Sequence, residues 1–116
     1  MIRTKRVYEA PSKDDGYRVL VDRLWPRGLS KEKAKVDLWM KEIAPSDALR
    51  KWLHHEEGNW SEFVKKYKAE LAKKKELVSE LRKLGKERGT VTLLYGSKDD
   101  KQNQAVVLAD MAAKKS

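Results

Sequence analysis

Two short apolar runs, Val19-Leu20-Val21 and Val91-Thr92-Leu93-Leu94-Tyr95, constrain this chain more than any other feature. A strand with one wet face alternates apolar and polar residues. A run that is apolar at nearly every position belongs to a strand covered on both faces, the habit of parallel sheets. Gly16 and Gly89 punctuate the starts of the two runs. The segment from Ile2 to Tyr8 alternates and is basic on one side, which suits an edge strand. Residues 36–43 lean towards strand, with apolar residues at 36, 38, 40 and 43, and Pro45 closes the segment.

Between the runs the period changes from two to that of a helix. Ser46 can cap a helix that presents Leu49, Trp52 and Leu53 on one stripe. Asn59 and Glu62 have the spacing of a capping box, ahead of Trp60, Phe63, Val64, Tyr67 and Leu71. Leu77, Val78, Leu81 and Leu84 form another stripe, rotated by several tens of degrees from the first. One straight helix cannot bury both, so a break is expected near residues 73–76. Gly89 stops the second helix. A final helix over about 101–113, apolar from Ala105 on, should be capped by Asp99 or Asp100. The order strand, loop, helices, strand, helix implies an α/β fold. It is a small, mainly parallel sheet covered by helices in a single compact domain over residues 1–116, with residues 114–116 as a loose basic tail.

Composition removes several classes of function. The chain has no cysteine, so disulfides, thiolate nucleophiles and cysteine metal sites are excluded. No apolar run is long enough to cross a bilayer, and the N-terminus runs straight into charged residues. The expected compartment is therefore the cytoplasm, with no membrane partner. With 27 Lys and Arg against 18 Asp and Glu, the net charge is +9, which favours phosphate-bearing partners, nucleic acid among them. Many of these lysines are interleaved with glutamates on solvated helix faces, such as Lys65, Lys66 and Lys68 beside Glu62 and Glu70, and that reading needs no partner.

Ligands of open α/β sheets bind beyond the carboxyl ends of the strands, which singles out two segments. Asp22-Arg23-Leu24-Trp25-Pro26-Arg27-Gly28 leaves the first buried run. Its two guanidiniums offer planar forks of donors suited to carboxylate or phosphate. Alternatively, Trp25 plugs the core and the arginines pair with Asp22 or Asp37. Tyr95-Gly96-Ser97-Lys98-Asp99-Asp100 leaves the second run and leads into the N-terminus of the last helix, where free amides favour anions. It lacks the glycine pattern of a nucleotide-binding loop, so an ordinary capped turn is its competing reading. His54 and His55 point about 100° apart on a helix and do not chelate a metal; His55 has a pKa suited to proton transfer. The Trp60, Phe63, Tyr67 stripe reads as core and not as a base-stacking platform.

The stretch Gly16-Tyr17-Arg18-Val19-Leu20-Val21-Asp22-Arg23-Leu24-Trp25-Pro26-Arg27-Gly28-Leu29 resembles the signature of the YeaO-like family, in the domain-of-unknown-function 488 group. So do Lys41 to Ser46, Leu49-Arg50-Lys51-Trp52 with His55, Thr92 to Tyr95, and Lys98-Asp99 with Asn103 and Ala105. The resemblance implies a compact α/β domain without a known cofactor, and it supplies no reaction. Members of the wider group carry cysteines at the segment matching Tyr95 and around Asn103, where this chain has none. The motif positions that are polar here are Asp22, Arg23, Arg27, His55, Lys98, Asp99 and Asn103.

The expectation is thus a small anionic ligand at the carboxyl edge of the sheet, held by Arg23, Trp25, Arg27, Ser97, Lys98, Asp99 and Asn103. Asp22 or His55 is the candidate for proton transfer. The residues leave open whether catalysis occurs at all. The alternative is a basic module that binds nucleic acid or a regulatory partner without chemistry. Arg23, Arg27 and Lys98 are expected to converge on one pocket.

Overall fold

The computed structural model describes residues 1–55 and 59–113, without the side chains of residues 54 and 55. The expected tail at 114–116 lies outside the described residues. Four parallel strands, β1 (Ile2–Arg6), β2 (Tyr17–Leu20), β3 (Leu38–Trp39) and β4 (Val91–Tyr95), form one sheet in the order β1-β4-β2-β3. The two apolar runs are neighbours, with Val19 opposite Leu93 and Leu20 opposite Leu94. Val21 lies past the end of β2, but its amide still donates to the Leu94 carbonyl. β1 is an edge strand, as its basic alternation implies.

Among the described residues, five helices connect and cover the strands. They are α1 (Lys31–Ala34), α2 (Asp47–His55), α3 (Trp60–Ala72), α4 (Lys75–Arg88) and α5 (Gln104–Ala113). Ser46 caps α2 by accepting from the Leu49 amide. Its own amide and hydroxyl donate to the Glu70 carboxylate of α3, which pins the start of one helix to the flank of the next. Asn59 caps α3 through the Glu62 amide. The expected break falls between Ala72 and Lys75, where Lys73 and Lys74 donate three residues back in a tightened last turn. Phe63, Tyr67 and Leu71 on α3 and Val78 and Leu81 on α4 then all reach the core, and Trp52 and Trp60 pack half-buried against it.

Two expectations are corrected. The strand expected in residues 36–43 is only two residues long, followed by a 3-10 turn over Lys41–Ile43. It lasts only while it faces β2: the Met40 amide takes the Leu20 carbonyl, and β2 ends there. Neither Asp99 nor Asp100 caps α5. Asp99 folds into a turn by accepting from the Lys101 and Gln102 amides, so the helix starts later. Asn103 is its cap, accepting from the Val106 amide.

The two faces of the sheet are covered differently. Val19, Val21, Val91, Leu93 and Tyr95 face the helical layer, with Tyr67 in the centre donating to the Ile43 carbonyl at 2.7 Å. Leu20 and Leu94 face the other way, under Val7, Ala34 and the half-buried Trp25, Leu29 and Val36. Further along that second face the cover is polar. Asp15 is buried there between Lys5 and Arg18, and the Thr92 hydroxyl donates to its carbonyl at 2.6 Å. Gly16 follows with φ +63, and a Cβ there would sit 2.3 Å from the Thr90 carbonyl oxygen. Only glycine lets the chain pass this close to β4.

Candidate functional site

The carboxyl ends of β2 and β4 open into a cleft of about 620 Å³ on the helical side of the sheet. Asp22, one residue past Val21, lines it. One Asp22 oxygen accepts from the Gly96 amide at 2.8 Å, and the other from the Gln104 side chain at the start of α5. Its backbone carbonyl accepts from the Trp39 indole at 2.7 Å. One residue thus ties the ends of β2, β3 and β4 and the last helix together. Gly96 is required by this closeness, since a Cβ would lie 2.8 Å from the Asp22 carboxylate. Burial pushes the Asp22 pKa above the usual carboxylate value; the Gly96 amide, Gln104 and the charge of Arg50 oppose that rise without cancelling it.

Arg23 is half-buried and turned towards the segment before α2. Its Nε and Nη2 donate to the Pro45 and Ala44 carbonyls, both at 3.2 Å. It pairs with neither Asp22 nor Asp37; the latter instead accepts from the Arg18 amide. Arg50 of α2 reaches the same cleft, with an exposed contact of 3.3 Å to Asp47 one turn earlier. Arg50 was not among the site residues expected from sequence, although it lies one turn after the Ser46 cap, at the border of the apolar stripe of α2.

From the β4–α5 connection, Ser97, Lys98, Asp99 and Asn103 all line the cleft. Lys98 is exposed. Hydrogen bonds from the Gln102 and then the Lys101 amide hold the Asp99 pKa low, so its charge stabilises the turn. Asn103 is buried and fully occupied, donating to the Asp99 carbonyl at 2.9 Å while it caps α5. Beside it, burial pushes the Tyr95 hydroxyl pKa up, reinforced by Asp100 and Glu9 and opposed by Arg6 and a hydrogen bond with Asn103. Apart from Gln102, the remaining walls are apolar: Leu24, Ala44, Pro45, Leu53, Trp60 and Phe63.

The expected convergence of Arg23, Arg27 and Lys98 needs correction. Arg23 and Lys98 line the cleft, whereas Arg27 and Trp25 do not. After Leu24 the chain crosses to the other face of the sheet. There Trp25 packs over Leu20 and Leu94, donates to the Leu29 carbonyl at 2.7 Å and meets Trp39 edge-on at 5.5 Å. The Tyr8 hydroxyl holds the Arg27 carbonyl at 2.9 Å, and the Leu29 amide closes a turn on Pro26. Arg27 is carried away from the cleft with them, its side chain in solvent. The side chain of His55, the other proton-transfer candidate, lies outside the described residues.

Among the described residues, no cluster of three histidine, aspartate or glutamate side chains could hold a metal ion, and no helix is long and apolar enough to cross a membrane.

Comparison with known proteins adds kinship. The chain is 47% identical over 109 residues to the uncharacterized protein YeaO of Escherichia coli (strain K12), covering 94% of each chain. It is 43% identical over 110 residues to the uncharacterized protein Rv3073c of Mycobacterium tuberculosis (strain ATCC 25618 / H37Rv), covering 95% of this chain and 92% of that one. No solved structure gives a significant match. A family model described as the inactive DUF488-N3 subclade matches residues 1–116, the whole length, and the chain belongs to that family.

Proposed function

We propose that this protein binds a small anionic ligand in the cleft at the carboxyl edge of its sheet and does not convert it. The observation that carries this reading is the charge of the cleft. Arg23, Arg50 and Lys98 line it, and of the three only Arg50 has an ion pair among the described residues, an exposed one. Arg23 keeps three of its five N–H donors beyond those given to the Ala44 and Pro45 carbonyls. Asp22 and Asp99 are the opposing charges: Gly96 and Gln104 already hold both oxygens of Asp22, and the Lys101 and Gln102 amides hold Asp99 in its turn, which leaves three cations against two anions.

Binding without turnover fits the groups at hand. Some members of the wider group carry cysteines in the segment matching Tyr95 and around Asn103; here Tyr95 is a buried phenol with a raised pKa and Asn103 an occupied helix cap. Neither is a nucleophile at neutral pH. The family description, an inactive subclade, points the same way.

Thermal denaturation with and without phosphate or sulfate tests the reading. A ligand at about a hundred times its Kd adds about 2.7 kcal/mol to the folded state. The wild type and Arg27→Ala should both show the resulting rise in midpoint, and an Arg50→Ala, Lys98→Ala double variant should lose it. A rise that persists in the double variant would mean that the anion binds elsewhere.

A second reading, a single-stranded nucleic-acid surface, draws on the rim outside the cleft. There Arg6 lies over the Tyr8 ring at 4.5 Å and Lys41 over Trp39 at 5.3 Å. Such pairs combine positive charge with ring faces, as stacking platforms do. Fluorescence anisotropy with labelled single-stranded RNA and DNA decides it. Binding that falls steeply with salt and is lost in Trp39→Ala would support this reading, and its absence at low salt would remove it.

A further inference from the structure

We infer that the ligand of this cleft is a planar ring bearing a hydrogen-bond donor and an anionic group, a conclusion that rests on the anion-binding reading and extends it to a chemical class. A bare anion would leave most of the cleft unused. At about 620 Å³ it has the size of pockets that enclose a small organic molecule, which run from about 300 to 1,000 Å³. Its walls are divided by chemistry. Pro45, Leu53, Trp60 and Phe63 give one apolar side. Phe63 is only 3% exposed and stacks on the half-buried Trp60 at 5.2 Å with their planes 18° apart, so it backs the Trp60 indole and holds that ring in place as the aromatic wall. A flat ring covers such a wall with little loss of conformational freedom.

The polar side specifies the substituents. The Asp22 carboxylate is an acceptor held in place by two donors, Gly96 and Gln104. A carboxylate has about four acceptor positions, so Asp22 can take two more hydrogen bonds, which a ligand bearing an N–H or O–H would supply in place of water. A purely anionic molecule would be repelled at that point. Arg50 and Lys98 attract the opposite kind of group, and they line the same cleft of about 620 Å³ as Asp22, so one small molecule can meet both kinds of partner. Hydroxyaryl or aminoaryl acids and nucleoside monophosphates share this chemistry.

Isothermal titration of the full chain separates the possibilities with five probes: inorganic phosphate, phenol, benzoate, 4-hydroxybenzoate and adenosine 5′-monophosphate. The expected result is that 4-hydroxybenzoate or the nucleotide binds at least about tenfold more tightly than phosphate, phenol or benzoate, and whichever binds identifies the source of the ring. Arg50→Ala should weaken that binding by about tenfold while leaving the melting midpoint of the free protein nearly unchanged, since its ion pair is exposed. Trp60→Ala should weaken the ring-bearing anion and not phosphate. Equal affinity for phosphate and for every ring-bearing anion would overturn the inference and leave the anion-binding reading standing. Phenol binding as tightly as 4-hydroxybenzoate would overturn both, as would heat from none of the five.

Discussion

Replacing Asp15 with Asn should destabilise this protein more than any other single change of charge among its described residues. Asp15 is only 3% exposed. It accepts from the Ser12 amide at 2.9 Å, from Lys5 at 3.1 Å and from the Arg18 guanidinium. Breaking a buried pair by removing one partner costs about 3–5 kcal/mol, because the other charge is left uncompensated. Arg18 would keep its bonds to the Lys35 and Ala34 carbonyls, at 3.0 and 2.8 Å, which places the expected loss at the low end, about 3 kcal/mol. For a domain of this size that lowers the melting midpoint by on the order of 10 °C. Burial alone would raise the Asp15 pKa, but the Ser12 amide, Lys5 and Arg18 together bring it below the ordinary 3.8. A lowered folded-state pKa contributes stability that is present above 3.8 and lost as pH falls through the folded value. Urea denaturation at pH 7 and then down to pH 3 should therefore show a gap between wild type and variant that narrows in acid. Lys83→Ala, which removes an exposed contact of 3.8 Å to Glu87, serves as control and should cost less than about 0.5 kcal/mol. A loss below about 1 kcal/mol at pH 7, or a gap that does not narrow, would refute the account of the triad.

Phe63→Ala should cost about 3–5 kcal/mol in two-state unfolding, since the ring is buried between Trp60 and Tyr67; a loss below about 1 kcal/mol would contradict its place in the core. Gly96→Ala should displace the Asp22 carboxylate from the Gly96 amide and cost about 1–3 kcal/mol, together with the stabilisation by phosphate; retention of both would show that Asp22 does not organise the cleft. Asp22 has the opposite pH dependence to Asp15. Its folded-state pKa is raised, chiefly by burial, so its contribution is full below 3.8 and declines as pH rises to the folded value. The stability difference between wild type and Asp22→Asn, followed from pH 3 to 7, should fall with rising pH, and a flat difference would contradict the shift.

Burial on both faces was the legible part of the fold, because it leaves a mark in sequence. Val19, Leu20 and Val21 could be apolar together only if something covered each side, whereas the register that sets Val19 opposite Leu93 and Leu20 opposite Leu94 leaves no such mark. The break between α3 and α4 was readable for the same reason, since one helix cannot turn two rotated stripes to one core. The cap of α5 was not legible. Asp99, Asp100 and Asn103 are all good caps by type, and tertiary placement decided among them: Asn103 is the one buried beside Tyr95. The polar stretch of the second face was hidden as well. Lys5 comes from β1 and Asp15 and Arg18 from the stretch that enters β2, and each alone looks like a surface charge.

The same alternation explains why the site was only partly legible. The rule that ligands lie beyond the carboxyl ends of parallel strands selects an edge of the sheet, and an edge has two sides. Asp22 and Arg23 leave β2 towards the helical layer, and after Leu24 the chain crosses over, so Trp25 and Arg27 fall to the other side. Sequence proximity put both arginines in one clamp, and the packing of Trp25 on Leu20 and Leu94 separates them. Arg50 takes the place expected of Arg27, from a helix instead of a loop, because Ser46 and Glu70 fix where α2 begins and hence which of its residues face the cleft. The cation that replaces Arg27 was thus specified by a helix cap one turn upstream, a link that the sequence contains and that only the pairing of Ser46 with Glu70 makes visible.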